Sequence, residues 1–396
     1  MTNPPKATIQ HVAKSAGVSI ATVSHVINHT HFVSSELVQR VNDAINALNY
    51  QPNKLARALN RRDFPLLALI VPDISNPYWS SFSRAVQDIA DPCEYSVIVC
   101  SSEGLYEREK RFLRSLSGWI GGIIIHPYHV TLADVNQLIG DKMPVLILGD
   151  FISVEAQPQN WDQVASNNLV STQLAVEHLI GLGHRKIAFI QGPKSTPTSK
   201  RRLAGYRQAM ETAGLPILND LVVAGDYTHQ GGFLAMKELL GRKARPTAVA
   251  CANDLSALGA LEAAKQMGCS IPKDLSIIGF DDINEAAFAS PPLTTVRLSP
   301  RHIGKVAAET LIGRMKGRQE PTRVLVEGTL VIRQSTAAPP KAASALSRKE
   351  AQSEPTPAAP PTVAPVVQPT VAPATVAPAA AAPAQPTDTA ARLPLR

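Results

Sequence analysis

The chain has 396 residues, of which 44% are hydrophobic, so it is long enough for two or three domains with buried cores. No stretch approaches the roughly 18 uninterrupted apolar residues that a membrane helix needs, and the amino terminus lacks the apolar region of a secretory signal. The four cysteines are scattered and form no CxxC pair, which argues against a disulfide framework or a zinc ribbon. We therefore expect a cytoplasmic protein without membrane association.

The formal charge of +7 is concentrated near the amino terminus. Residues 1–62 carry seven basic and two acidic side chains, whereas residues 337–396 have a charge of only +2 and the residues between them are neutral. A basic module before a neutral body suggests an anionic partner, most often nucleic acid. A solubilising basic arm is the alternative interpretation.

Residues 8–28 predict two short helices joined by a turn. Thr8 is a plausible N-cap of the first helix, and Gly17 ends that helix because glycine adopts a positive φ without strain. Ser19 can cap the second helix, whose apolar side consists of Ile20, Val23, Val26 and Ile27. Such a pair is a helix-turn-helix, and the apolar periodicity from Leu37 to Leu48 predicts a third helix.

The outer face of the second helix carries small and polar side chains that can approach DNA closely: Ala21, Thr22, Ser24, His25 and Asn28. Hydroxyl groups suit phosphate oxygens, and His25 and Ala21 can face base edges in the major groove. An ordinary exposed histidine is the alternative for His25. A metal site formed by His25, His29 and His31 is a further alternative, which the lack of a carboxylate or cysteine nearby disfavours.

From Leu66 onward, short apolar strands alternate with helical stretches. This alternation predicts an α/β body with parallel sheets that are covered on both faces, and about 270 residues are natural for two lobes. The predicted strands are Leu66–Val71, Ser96–Cys100, Ile123–His126, Val145–Leu148, Ile187–Gln191, Val222–Ala224, Ala248–Ala252 and Ser276–Phe280.

Ligands of such sheets bind at the carboxyl ends of the strands. The segments that follow the predicted strands contain aromatic rings, carboxylates, amides and arginines. This mixture suits a polyhydroxylated ligand, because rings stack on its apolar face while polar groups hydrogen-bond its hydroxyls. Ordinary strand-end turns are the alternative. A sugar-processing enzyme is disfavoured, since no GxxxxGK[ST], HExxH or GxSxG motif occurs.

The last segment, residues 337–396, contains no aromatic residue and 13 of the 32 prolines. Such a composition cannot bury enough apolar surface to offset the entropy of ordering the chain. We therefore expect a disordered tail rich in alanine and proline.

Several strings of residues are similar to one known family. They are TVSHVIN after a GVS turn, LNYQPN at residues 48–53, RLAG at residues 202–205, GFDDI at residues 279–283 and PPLTTV at residues 291–296. These motifs resemble the lactose-repressor family of bacterial transcription regulators, nearest to its ribose and purine repressor branch. The resemblance implies a helix-turn-helix DNA-binding domain (1–52), a hinge helix with linker (53–63), a two-lobed effector-binding and dimerisation body (64–336) and a tail (337–396).

The resemblance also implies roles for individual residues. Lys54 and Arg57 would bind the DNA backbone, and Leu59 would enter the minor groove as an apolar wedge. The implied DNA contacts are Ile20, Ala21, Thr22, Ser24, His25, Asn28, Lys54, Arg57 and Leu59. The implied effector contacts are Tyr78, Trp79, Asp150, Thr198, Arg202, Tyr227, Asn253 and Asp281.

A protein with this resemblance is expected to repress a sugar-utilisation operon. It would bind double-stranded, pseudo-palindromic operator DNA on the nucleoid as a homodimer, or as a tetramer, and it would need a small-molecule effector but no cofactor. Thr196 stands where the purine branch carries an arginine that reads the base, and Ser299 replaces a common glutamine. These departures argue against a purine effector, and the GGFLAM and GFDDI strings resemble the ribose branch, which implies a pentose or a related sugar. The alternatives are a nucleobase corepressor and a sugar receptor without a DNA-dependent function.

Overall fold

The computed structural model describes residues 7–28, 30–50, 64–140, 143–149 and 161–340, all within one compact unit. Its amino-terminal head contains three helices, α1 (Ile9–Ala16), α2 (Ile20–Asn28) and α3 (Ser35–Ala47). They pack around a small core that includes the fully buried Val12, Val23 and Val41. The predicted helix-turn-helix and third helix are therefore confirmed.

The ends of the head helices have the caps that the sequence predicts. The Thr8 side chain accepts a hydrogen bond from the His11 amide, Gly17 ends α1 at φ 64°, and the Ser19 Oγ accepts one from the Thr22 amide at 3.0 Å. One stabilising contact had no signal in the sequence. Arg40 of α3 donates from Nη2 to the Ala16 carbonyl at 2.6 Å, so it adds a cation to the end of α1, where the helix dipole favours positive charge.

Ile20 belongs to the apolar side of α2 in the sequence and is also among the DNA contacts that the resemblance implies, and in the structure it lies outside the core of the head. Its side chain is 47% exposed, whereas Val23 and Val26, which lie later in α2, are buried. Ile20 is the first residue of α2, and the core shared with α1 and α3 begins one turn further along the helix. Helical periodicity gave the correct face of the helix but could not show where the neighbouring helices stop covering it.

The amino-terminal lobe contains a six-stranded parallel sheet in the order β11-β5-β4-β3-β1-β2. Helices α4 and α12 cover one face, and helices α5 and α6 cover the other. The strands are β1 (Leu66–Val71), β2 (Ser96–Ser101), β3 (Gly122–Ile125), β4 (Val145–Leu148), β5 (Asp162–Ser166) and β11 (Arg323–Val326). The helices are α4 (Pro77–Ala90), α5 (Tyr106–Leu116), α6 (Leu132–Leu138) and α12 (Pro300–Met315).

The carboxyl-terminal lobe contains a four-stranded parallel sheet in the order β7-β6-β8-β9, with α7 and α8 on one face and α9 and α10 on the other. A two-stranded antiparallel ribbon and α11 complete the lobe. The strands are β6 (Ile187–Gln191), β7 (Val222–Ala224), β8 (Ala248–Cys251) and β9 (Ser276–Ile278), with β10 (Thr295–Arg297) and β12 (Thr329–Val331) in the ribbon. The helices are α7 (Asn168–Gly181), α8 (Pro197–Thr212), α9 (His229–Gly241), α10 (Asp254–Gln266) and α11 (Asn284–Phe288).

All eight strands predicted from the sequence are confirmed, with ends that agree to within a few residues. The predicted two-lobed α/β architecture is confirmed as well. The sequence did not reveal β5, β10, β11 or β12. Of these, β5 begins with a buried charged residue. Asp162 is buried there because it accepts hydrogen bonds from Arg314 Nε at 3.0 Å, Arg318 Nη2 at 3.0 Å and the Thr322 amide at 2.7 Å. Ion pairing with residues 150 positions away cannot be read from local periodicity.

Ala337, where the tail is expected to begin, is bonded to the carboxyl-terminal lobe. The Ala337 amide donates to Ser276 Oγ at 3.0 Å, and its carbonyl accepts from His184 Nε2 at 2.8 Å, so this residue belongs to the carboxyl-terminal lobe. The expected hinge helix (53–63) and the rest of the expected tail (341–396) lie outside the described residues. No helix in the described ranges combines the length and apolarity needed to span a membrane.

Candidate functional site

A pocket lies between the two lobes, at the carboxyl ends of strands from both sheets. Seven of the eight predicted effector contacts line this one pocket: Tyr78, Trp79, Thr198, Arg202, Tyr227, Asn253 and Asp281. They come from segments up to 203 positions apart, so only the fold brings them together. Asp150, the eighth, lies outside the described residues.

The amino-terminal lobe contributes a wall of rings to the pocket. Asn76 caps α4 by accepting a hydrogen bond from the Tyr78 amide at 3.0 Å, and Pro77 begins the helix, so the two aromatic residues that follow lie in its first turn. Ring centroids are 5.0 Å apart for Tyr78 and Trp79, and 4.8 Å apart for Trp79 and His126. His126 in turn lies 5.6 Å from Tyr128. These edge-to-face contacts form a continuous apolar surface for a ligand.

The carboxyl-terminal lobe contributes polar groups that are organised around Arg202 of α8. Its Nε donates to Asn168 Oδ1 at 2.8 Å, its Nη1 donates to the Ala252 carbonyl, and its Nη2 lies 3.4 Å from Asp281 Oδ1. The guanidinium carbon also lies 3.9 Å from the centre of the Phe280 ring. The buried cation is therefore held in one orientation by four neighbours, with Asp281 as its acidic partner.

The Asp281 and Asn253 side chains face the pocket from segments that follow strands. Asp281 adopts φ 116°, and its amide donates to the Val296 carbonyl at 2.8 Å. Asn253 donates from Nδ2 to the Tyr227 carbonyl at 2.8 Å and accepts from the Ser256 amide at 3.0 Å, which caps α10. A carboxylate and an amide held in this way offer fixed directions for hydrogen bonds to a ligand.

Burial changes the ionisation of the groups in the pocket. It raises the pKa of Asp281 to about 6, although the Arg202 guanidinium opposes this shift. Burial also lowers the pKa of His126 to about 4, and Arg202 acts in the same direction. Burial, together with the charge of Asp281, raises the pKa of the Tyr78 phenol. At neutral pH the pocket thus contains one carboxylate, one guanidinium and uncharged rings.

Two buried polar atoms in the pocket have no hydrogen-bond partner among the described residues. They are His126 Nδ1 and the Tyr227 hydroxyl. Buried polar groups are normally hydrogen-bonded, because an unpaired one costs about 1–3 kcal/mol. The two atoms lie in opposite lobes and both line the pocket, as expected of groups that bind a polar ligand.

Several pocket residues were not identified from the sequence: Asn76, Phe82, His126, Tyr128, Leu148, Gly149, Val164, Ser166, Asn168, Leu298 and Ile303. His126 immediately follows β3, so the rule that ligands bind at strand ends could have found it. Asn168 had no such signal, because its role depends on Arg202, which is 34 positions away.

The outward face of α2 presents the small polar residues that the sequence indicated. Ala21 is exposed, and the Thr22 hydroxyl is 2.8 Å from that of Ser19. His25 Nδ1 is 2.9 Å from the Thr30 hydroxyl, and Asn28 Nδ2 donates to the Ser24 carbonyl at 2.7 Å. His29 lies outside the described residues, and within them no group of three His, Cys, Asp or Glu side chains is arranged for a metal ion.

Known proteins are similar to both parts of the chain. Residues 8–53 match the bacterial regulatory proteins of the lacI family, and residues 176–336 match a periplasmic binding protein-like domain. The chain is 35% identical over 332 residues to the ribose operon repressor of Haemophilus influenzae, which covers 83% of this chain and 98% of the relative. This match spans both the head and the two-lobed body.

Solved structures are similar over the same region. One is the lac repressor dimer bound to operator and the anti-inducer ONPF, with a TM-score of 0.75 and 29% identity, covering 84% of this chain and 99% of that one. Another is a LacI family transcriptional regulator from Enterococcus faecium with bound ribose, with a TM-score of 0.62 and 26% identity, covering 69% of this chain and 99% of that one.

Proposed function

Because this chain belongs to the lacI family of bacterial transcriptional repressors, we propose that it represses a sugar-utilisation operon and responds to a pentose, of which ribose is the first candidate. Membership of the family itself means a DNA-binding regulator with a small-molecule effector rather than an enzyme. The observation that supports a sugar most directly is the pairing, in one pocket, of an aromatic wall with the buried Arg202–Asp281 pair.

The chemistry of the pocket fits a small polyhydroxylated ring. Tyr78 and Trp79 can stack on its apolar face, while Asp281, Asn253 and Arg202 bond its hydroxyls. Tyr227, Thr198 and Asp150 complete the effector contacts that we propose. The similarity to a ribose operon repressor and to a regulator with bound ribose supports a pentose.

We propose that α2 reads the major groove of a half-site, as the second helix of a helix-turn-helix does. The proposed contacts on this helix are Ile20, Ala21, Thr22, Ser24, His25 and Asn28. The exposure of Ile20 favours a contact with the apolar methyl of thymine. In the segment outside the described residues, Lys54 and Arg57 would bind phosphates, and Leu59 would act as a wedge in the minor groove.

A homodimer would place two such helices on a pseudo-palindromic operator, since two-fold symmetry in the protein requires it in the DNA. Ligand binding between the lobes would change the angle between them and so change how readily residues 53–63 order on DNA. The effector and the operator would thus be coupled through one two-state element. A ligand that prefers the DNA-bound form acts as a corepressor, and one that prefers the free form acts as an inducer.

The proposed function is tested by screening pentoses, hexoses and nucleobases for an increase in melting temperature. Only a ligand that binds the native state stabilises it, by about 2.7 kcal/mol at 100 times its Kd. The operator is found by selection from random DNA, and gel shifts with and without ribose follow. We expect ribose to stabilise the protein and to change its affinity for a palindromic site. Stabilisation by nucleobases alone would show that the effector is a nucleobase corepressor and not a sugar. Failure to select any DNA would contradict the proposal that the protein is a sequence-specific repressor.

The pKa of Asp281 gives a prediction about pH. If ligand hydroxyls donate to the ionised carboxylate, the affinity for ribose is constant well above pH 6 and falls as the pH drops through 6. The loss should reach about tenfold between pH 7 and pH 5, because ionised Asp281 becomes the minor form. His126, with a pKa near 4, does not titrate in this range.

Calorimetric titration with ribose between pH 5 and pH 8 measures the effect. The matched control is Asp281→Asn, which should bind weakly but with no dependence on pH across that range. A steep pH dependence that persists in the asparagine variant would assign the titration to another group.

A further inference from the structure

Glu109 is a fully buried carboxylate in α5, outside the pocket between the lobes. Its Oε1 accepts a hydrogen bond from the Tyr128 amide at 2.7 Å, and its Oε2 accepts from the His129 amide at 3.1 Å and the Val130 amide at 2.8 Å. Among the described residues no Lys, Arg or His forms an ion pair with it. Three consecutive backbone N–H groups therefore bind this buried anion.

The three amides belong to the loop between β3 and α6, and this loop carries two residues of the pocket wall. His126 and Tyr128 both line the pocket. The Tyr128 amide is bonded directly to Glu109, and the amides of the next two residues are held by the same carboxylate. Glu109 thus holds the backbone of the loop from outside the pocket, while the His126 and Tyr128 side chains line the pocket.

The Tyr128 ring is held from a second side by the loop after β2. Gly104 has φ +61°, and a Cβ added there would lie 2.8 Å from Tyr128 Cδ2. The ring therefore lies directly against glycine backbone. On its other side it contacts His126, whose own ring contacts Trp79. A displacement of the loop must consequently move the aromatic wall.

We propose that Glu109 is a positioning residue that sets the shape and specificity of the effector pocket by fixing the loop of His126 and Tyr128. A carboxylate suits this task because its two oxygens offer about four acceptor sites, enough for three N–H donors. A glutamine of the same size has one acceptor oxygen, and its NH2 group would face a donor. The part of this proposal that concerns ligand affinity rests on the proposed function; the effect on the loop does not.

The experiment uses the full chain with Trp119→Phe and Trp161→Phe, which leaves Trp79 as the single tryptophan, since the chain has three. Glu109→Gln and Glu109→Ala are compared with Glu107→Gln, an exposed glutamate on the same helix. Without ligand, we expect both Glu109 variants to shift the Trp79 emission and to accelerate hydrogen exchange at residues 128–130. We expect the ribose affinity to fall about tenfold in Glu109→Gln, in line with the loss of one buried bond to a charged group.

A second variant acts on the ring without touching the carboxylate. Gly104→Ala should displace the Tyr128 side chain and weaken ribose binding, while exchange at residues 128–130 stays close to that of the parent. If Glu109→Ala does not fold, Glu109→Gln alone decides the role of the carboxylate, and Gly104→Ala shows separately how far the position of the Tyr128 ring affects ribose binding. Operator affinity in the absence of ribose should stay within about twofold for Glu109→Gln, as expected for a change remote from the head.

Unchanged Trp79 emission and unchanged exchange in Glu109→Gln would overturn the positioning role, whatever the ligand. If the loop is altered in Glu109→Gln but its ribose affinity equals that of Glu107→Gln, the proposed effect of Glu109 on ligand binding is wrong. If the parent protein binds no ribose at all, the proposed effector is wrong, and emission and exchange still decide the role of Glu109.

Discussion

Replacement of Asp281 by alanine is expected to abolish the response to effector while operator binding persists. The side chain is 7% exposed, lines the pocket and lies 3.4 Å from Arg202 Nη2. Its removal deletes an acceptor for ligand hydroxyls and leaves a buried guanidinium without its acidic partner. The lost acceptor is what weakens binding: a hydrogen bond to a charged group contributes about 1.5–3 kcal/mol, so the ribose affinity should fall by at least about tenfold.

The loss should be confined to the pocket. Arg202 keeps its bonds to Asn168 Oδ1 and to the Ala252 carbonyl, so we expect the carboxyl-terminal lobe to remain folded. The measurements are calorimetric titration with ribose, operator binding with and without ribose, and the melting temperature. Asp220→Ala, which removes an exposed carboxylate just before β7, is the matched control. Normal regulation by ribose in Asp281→Ala would show that this carboxylate is not an effector contact.

Replacement of Val23 by aspartate is expected to have the opposite effect: operator binding is lost while ribose binding persists. Val23 is fully buried in the core of the head, between α1, α2 and α3. A buried carboxylate without a partner costs several kcal/mol, and a head of about 45 residues has little stability to lose. We expect the three helices to unfold and the operator affinity to fall more than about a hundredfold, whereas ribose binding is retained.

The control for this variant is Asn42→Asp, which adds the same charge at an exposed position of α3. It should reduce operator affinity only slightly, because exposed charges at some distance are screened by salt. Fluorescence anisotropy with the selected operator and titration with ribose give the two affinities. Operator binding that survives in Val23→Asp would mean that the folded helix-turn-helix is not the DNA-binding element.

The sequence predicts those features that depend on local pattern. The head helices were found because caps and apolar spacing are local, and eight strands were found because each is a short apolar run between turns. Strand β5 was missed because Asp162 is buried by pairing with distant arginines. The exposed fraction of Ile20 could not be read from helical periodicity, because it depends on where the neighbouring helices end.

Some pocket residues could likewise be predicted from the sequence and others could not. Residues that follow predicted strands, such as Asn253 and Asp281, could be selected because the carboxyl ends of parallel strands converge. Asn168 and Glu109 could not, because one acts through Arg202 and the other through the backbone of a loop. Their side chains look ordinary in the sequence, within a helical stretch and a charged helix. Contacts between elements, rather than composition, give them their roles.

The position of β11 at the edge of the six-stranded sheet has a consequence for the order in which the protein forms during translation. Its partner β5 is followed by the whole four-stranded sheet before residues 323–326 are made. The four strands of the later sheet can therefore pair while the earlier sheet still lacks its last strand, which departs from the usual order in which the amino-terminal domain of a nascent chain folds first. A ribosome-bound chain that ends before residue 303 should consequently present no complete ligand pocket, because Ile303 of α12 lines it.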